Sequence, residues 1–116
     1  MSAWRMLAVL ACVALIAVGQ LLFKFAAGRV DPKAPWWMLA FEPYLILAGV
    51  IYVGATFLWV MQLKSVPLNR AYPLFALAFV LVPLLSHFTF GERLSLPYLG
   101  GSLLIIAGTV LCTWYY

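Results

Sequence analysis

Four apolar runs, each long enough to cross a bilayer as a helix, fill nearly all of this chain and leave only short polar stretches between them. A lipid core offers the backbone no hydrogen-bond partners. A segment that crosses it must satisfy its own N–H and C=O groups, which about 20 apolar residues in a helix do. The runs predict spans over residues 4–27, 44–63, 72–90 and 97–115. Of 116 residues, 67% are hydrophobic and 9% charged, against about half and a quarter in soluble domains, so the solvent of this chain is lipid. The first run is longer than the apolar part of a signal peptide, and equally apolar runs follow it. The expected fold is therefore an all-α membrane protein with four transmembrane helices, short loops and one domain over residues 1–116. A soluble active site has nowhere to sit.

Local signals set the expected boundaries. Trp4 anchors the first span at the interface and Gly28 ends it. Residues 34–42, with Trp36, Trp37 and Phe41, read as an interfacial segment. Pro43 suits the first turn of the second span, where its missing N–H costs nothing, and Glu42 before it complements the helix dipole. The third span begins near Tyr72, carries Pro83 in its interior and stops at the Gly91-Glu92-Arg93 turn. The fourth opens at Ser95 and Pro97, and Trp114, Tyr115 and Tyr116 form a terminal aromatic belt. Pro43-Tyr44-Leu45 and Pro97-Tyr98-Leu99 are a faint repetition, each opening a run.

Charge excludes some functions. The net charge of +4 comes from seven Lys and Arg dispersed singly, which does not suit nucleic acid. Cys12 and Cys112 lie inside apolar runs with no metal-ligand neighbours, so both read as small buried hydrophobes and no metal or cofactor is expected. Nothing pairs a nucleophile with a base, and an enzyme is not indicated. Arg5, Lys64 and Arg70 flank the spans on the face holding both termini, whereas Lys24, Arg29, Lys33 and Arg93 lie on the other. Three against four is almost no bias. It permits insertion in both orientations and an antiparallel dimer; a single orientation set by other features stays equally open.

Two stretches carry a resemblance. "SVPLNRAYPLFALAFVLVPLLSHFTFGERLSLPYLGGSLLIIAGTVL", residues 65–111, resembles the second half of a drug/metabolite-transporter (EamA-type) unit. Its Val66-Pro67 loop, Ala71-Tyr72-Pro73 opening, Gly91-Glu92-Arg93-Leu94 turn and Gly-rich last helix carry the match. "VGQLLFKFAAG", residues 18–28, resembles the end of helix one in small multidrug resistance proteins. Those proteins hold an essential glutamate eight residues before the lysine matching Lys24, and here that position is Ile16. Proton-coupled export of cationic drugs is therefore not implied. The branch lacking that glutamate includes paired subunits that flip aminoarabinose–undecaprenyl phosphate, and Ala17-Val18-Gly19-Gln20 and Ala71-Tyr72 are similar to theirs. The resemblance implies a dimer in the bacterial inner membrane, of identical chains or with a paralogue, and an anionic lipid-phosphate substrate. A small-solute or drug exporter, or an accessory subunit of a glycosyltransferase system, are the alternatives.

Ile16, Gln20 and Lys24 share one stripe of helix one, which by resemblance faces the cavity between protomers. Lys24 offers its ammonium to a phosphate or snorkels as an ordinary anchor. Gln20 lies deeper, where an unpartnered amide is expensive, so it needs a ligand or a helix–helix hydrogen bond. Arg70 stands at the positive end of helix three, an unfavourable place for a cation unless an anion is shared or water reaches it. Tyr72 matches a cavity-lining tyrosine of the multidrug proteins, with Phe75 one turn on. His87 is expected to bond another helix. Gly101 and Gly108, seven apart on one face of helix four, suit a dimer interface.

Overall fold

A computed structural model describes residues 2–114. Among the described residues, four helices are long and apolar enough to cross a membrane: α1 (Ala3–Arg29), α2 (Pro43–Leu63), α3 (Leu68–Phe90) and α4 (Leu96–Trp114). A 3-10 segment, Trp36–Phe41, lies between α1 and α2 with its aromatic side chains exposed. No strand occurs among the described residues. Of the terminal aromatic belt, Trp114 is exposed; Tyr115 and Tyr116 lie outside the described residues.

The Ser2 hydroxyl accepts from the Arg5 N–H and caps the start of α1. The helix does not stop at Gly28, as its sequence suggests, but continues to Arg29 with Val30 extended beyond it. Pro32 denies Asp31 a helical backbone, and the Arg29 guanidinium donates to a Glu42 carboxylate oxygen at 2.6 Å. The other oxygen of that buried carboxylate accepts from the N–H groups of Tyr44 (2.7 Å) and Leu45 (3.1 Å). One side chain thus caps α2 and ties it to the end of α1, with Pro43 in the first turn.

Helix α3 departs most from expectation. It begins at Leu68, four residues before Tyr72, because the Pro67 carbonyl already accepts from the N–H groups of Arg70 and Ala71. Its middle, Tyr72–Leu77, is 3-10 rather than α: Pro73 brings no N–H to the carbonyl of Asn69 one turn back, and the chain tightens. Regular α-helix resumes over Ala78–Phe90 and ends at Gly91, whose φ of 71° is the left-handed conformation glycine adopts without strain. The Ser95 hydroxyl accepts from Tyr98 N–H at the start of α4.

Helix α1 packs on α2 and on α3, and α4 docks on α3. The Cα envelope measures 49 × 37 × 19 Å, so its thin dimension is about two helix diameters. The four helices form a slab, and grooves between them stay open at its faces. A small core of Val9, Val66, Ala71 and Leu74 closes the end nearest the N-terminus. Cys12 is buried as expected, but Cys112 is exposed, because α4 turns other residues toward α3; both thiols are free. The inward residues of α4 are polar. Ser102, Thr109 and Thr113 are buried, and with Tyr98 they follow spacings of four and seven on one helix face. Gly100, Gly101 and Gly108 are exposed, with open space where a Cβ would project.

Candidate functional site

Helices α1, α3 and the start of α4 enclose a cleft of about 360 Å³, lined by Ile16, Gln20, Ala78, Phe79, Val82, Pro83 and Tyr98. Its shape depends on a proline. Pro83 has no N–H for the carbonyl of Phe79 one turn back, an expensive loss where no water replaces it. The Tyr98 hydroxyl donates to that carbonyl at 2.7 Å. One bond thereby satisfies the broken turn and fixes α4 beside the cleft. Below it the Thr109 hydroxyl donates to the Pro73 carbonyl at 3.3 Å.

Gln20 is held from the other side. Its amide donates to the Tyr52 hydroxyl of α2, and Gly19 makes this possible. A Cβ on Gly19 would come within 2.5 Å of the Tyr52 ring, so only glycine admits the ring against the α1 backbone. Phe23 stacks on the same ring, centroids 5.1 Å apart. The Gln20 carbonyl oxygen has no partner among the described residues. The cleft therefore combines an apolar wall, beginning at Ile16, with one positioned amide that still has an acceptor to offer.

One turn beyond Gln20 is Lys24, whose ammonium stands 3.8 Å from a carboxylate oxygen of Glu92 in the α3–α4 turn. That turn is set by Gly91 and by the His87 ring, whose Nδ1 lies 2.7 Å from the Glu92 carbonyl oxygen. His87 thus bonds its own turn rather than another helix, because the left-handed residue folds the chain back over it. Nearby, Phe25 packs between Tyr44 and Phe90, and the Arg29 guanidinium lies over the Tyr44 ring.

Arg70 and Tyr72 do not join this cleft. The Arg70 guanidinium donates through Nε (3.2 Å) and Nη2 (3.0 Å) to the carbonyl of Thr113 near the end of α4. The expected conflict with the α3 dipole is thereby relieved: antiparallel packing sets the negative end of α4 beside the positive end of α3. Arg70 also lines a polar recess of about 410 Å³ with Ser2, Arg5, Ser65, Val66 and Pro67, where an Arg5 guanidinium N–H donates to the Ser65 carbonyl at 2.9 Å. Tyr72 is exposed in a separate groove with Trp59, Leu68, Asn69 and Pro73, its ring 6.0 Å from that of Phe75.

The match to known proteins covers the whole described chain. The model of the EamA-like transporter family matches residues 1–114. This chain belongs to that family. A relative from Pectobacterium atrosepticum, named a probable 4-amino-4-deoxy-L-arabinose-phosphoundecaprenol flippase subunit ArnE, is 39% identical over 99 residues, 84% of this chain and 87% of its own. A protein of that name from Pseudomonas fluorescens is 32% identical over 112 residues, 96% of each chain. One from Sodalis glossinidius, named as the ArnF subunit of such a flippase, is 36% identical over 107 residues, 85% of this chain and 82% of its own. No solved structure matches.

In this EamA-like chain, three contributors to the cleft escape a reading of the sequence alone. Tyr52 and Tyr98 look like ordinary membrane aromatics, and Glu92 like a helix-end residue. Signals exist for two of them. The repeated Pro-Tyr-Leu flags Tyr98, and its counterpart Tyr44 is also engaged at a helix start. Gly19 beside Gln20 signals a close approach by something large. Glu92 has no such signal, because its partner is distant in sequence.

Proposed function

We propose that this multi-pass membrane protein carries an anionic lipid-linked substrate of the polyprenyl-phosphate sugar type across the bacterial inner membrane, as one subunit of a dimer. The observation that carries this reading is the cleft: mainly apolar, with the Gln20 amide in its lining and the Tyr98 hydroxyl committed to the Phe79 carbonyl, and with Lys24 one turn further along the same stripe. A polyprenyl chain suits the apolar wall, sugar hydroxyls suit the Gln20 amide, and a phosphate suits the Lys24 ammonium. The names of the relatives support the same class of cargo and, being of two kinds of subunit, support pairing with a paralogue; an identical partner is the other arrangement. The near-even distribution of Lys and Arg suits an antiparallel pair, in which each membrane face presents one Lys24 and one Arg70, with Tyr72 in its separate groove on the same helix. The open strip at Gly101 and Gly108 is the contact surface in this reading.

Charge-assisted bonds to a phosphate are worth roughly 1.5–3 kcal/mol each, so removing one weakens binding by about tenfold or more. The test is binding of a polyprenyl-phosphate sugar to purified protein carrying Lys24→Met, Arg70→Met or Gln20→Leu. Affinity within about twofold of the unaltered protein for all three variants would leave the cleft as helix packing and Lys24 as an interfacial anchor.

A further inference from the structure

Among the described residues, two ion pairs tie elements together at the end of the molecule that holds Lys24, and they differ in kind. In the first, Glu42 is almost fully buried, accepts two backbone N–H groups and meets Arg29 at 2.6 Å. It is part of the fold. In the second, Lys24 and Glu92 stand 3.8 Å apart with 61% and 52% of their side chains exposed, and no other hydrogen bond holds either charged group among the described residues. A loose, half-exposed pair contributes little to stability and opens at small cost. It also occupies a particular place. Lys24 continues the stripe of Ile16 and Gln20, and Glu92 belongs to the turn between α3 and α4, the helices that form the rest of the cleft wall. The pair joins α1 to the α3–α4 turn one helical turn beyond Gln20 of the cleft.

We propose that Lys24 and Glu92 are a split site for a zwitterionic headgroup, an amino-sugar phosphate: Glu92 receives the sugar ammonium and Lys24 the phosphate. The assignment rests on the reading of the cleft as the path of a lipid-linked sugar. Its logic is exchange of ions. A ligand with one positive and one negative group replaces each residue's partner as the pair opens, so no charge is left alone. A lipid phosphate without the amine engages Lys24 but leaves Glu92 unpaired beside an anion, which is disfavoured. The same carboxylate that is idle in the resting pair therefore selects for an amine on the sugar. The Glu92 backbone is fixed by the left-handed Gly91 and by the His87 ring, so the exposed carboxylate swings from a set position. Gln20, one turn deeper than Lys24, meets the sugar hydroxyls between the two charges.

The experiment measures binding of three probes to the full-length protein in detergent micelles: a short-chain polyprenyl phosphate bearing a 4-amino-4-deoxy pentose, its N-acetyl derivative, which has lost the positive charge, and dioleoyl phosphatidylglycerol. The unaltered protein is expected to bind the amine about tenfold tighter than the N-acetyl form. Glu92→Gln should collapse that ratio to near one while leaving N-acetyl binding unchanged or tighter, and Lys24→Gln should weaken both sugar lipids. Equal affinity of the unaltered protein for amine and N-acetyl forms would overturn the proposal. So would a Glu92→Gln protein that keeps the tenfold ratio. In both cases, tight binding of either sugar lipid leaves the transport reading standing. Binding of both no tighter than phosphatidylglycerol would overturn that reading and the proposal with it. The comparison of probes on the unaltered chain decides the matter even if Glu92→Gln does not fold.

Discussion

Tyr98 is the side chain whose removal tests the architecture of the cleft most directly. Its hydroxyl donates at 2.7 Å to the Phe79 carbonyl, which lacks the N–H that any residue but proline would supply at position 83. Tyr98→Phe removes that donor and leaves the shape of the ring. An acceptor left unpaired away from water costs about 1–3 kcal/mol; double-mutant cycles within membranes give smaller couplings, averaging about 0.6 and reaching about 1.7. The overlap of these ranges sets the expected loss at about 1 kcal/mol. Pro83→Ala restores an N–H to Phe79, so in that background Tyr98→Phe should lose less than about 0.3 kcal/mol. The coupling, about 1 kcal/mol, is free of whatever Pro83→Ala does on its own. Both quantities come from unfolding by sodium dodecyl sulfate in mixed micelles, followed by far-ultraviolet circular dichroism. An equal loss in the two backgrounds would refute the reasoning, since the hydroxyl would then be serving something other than the broken turn.

Other perturbations read different parts of the structure. Gly19→Ala drives a methyl group into the Tyr52 ring and should cost about 1–3 kcal/mol by the same unfolding assay, most of it recovered by adding Tyr52→Ala; no recovery would place the strain elsewhere. Glu42→Ala uncaps α2 and strips Arg29 of its partner, for an expected loss of about 1–2 kcal/mol, whereas Lys24→Met should stay within about 0.5 kcal/mol because its pair is half exposed. Equal losses would mean that the two ion pairs do not differ as their geometry implies. Gly108→Leu should lower the dimer fraction in detergent, read by crosslinking, and an undiminished dimer would move the interface off α4.

How much of this was legible in the amino acids follows from what each signal depends on. Four spans are legible because twenty apolar residues in lipid have one stable backbone solution, whatever their neighbours. The start of α2 is legible because Glu42 and Pro43 act on their own turn. The start of α3 is not: Pro67 serves from outside the helix as acceptor for its first turn, and the 3-10 stretch around Pro73 breaks the pattern that marks an α-helix. Gln20 could be seen to need a partner, since an amide at that depth is expensive alone, but Tyr52 stands 32 residues away and its approach depends on the bare backbone of Gly19.

The charges divide along the same line. From sequence, Arg70 was an electrostatic puzzle and Glu92 a helix-end residue. Arg70 finds the carbonyl of Thr113, 43 positions on, because antiparallel packing brings opposite helix ends together. Glu92 finds Lys24 because the α3–α4 turn meets α1 one turn beyond Gln20. The order of residues by itself determined the medium, the number of spans and the family. Which polar groups meet was decided only by tertiary structure, because in lipid a buried donor must find an acceptor wherever the packing of helices puts one, and that position is not written in the local spacing of the chain.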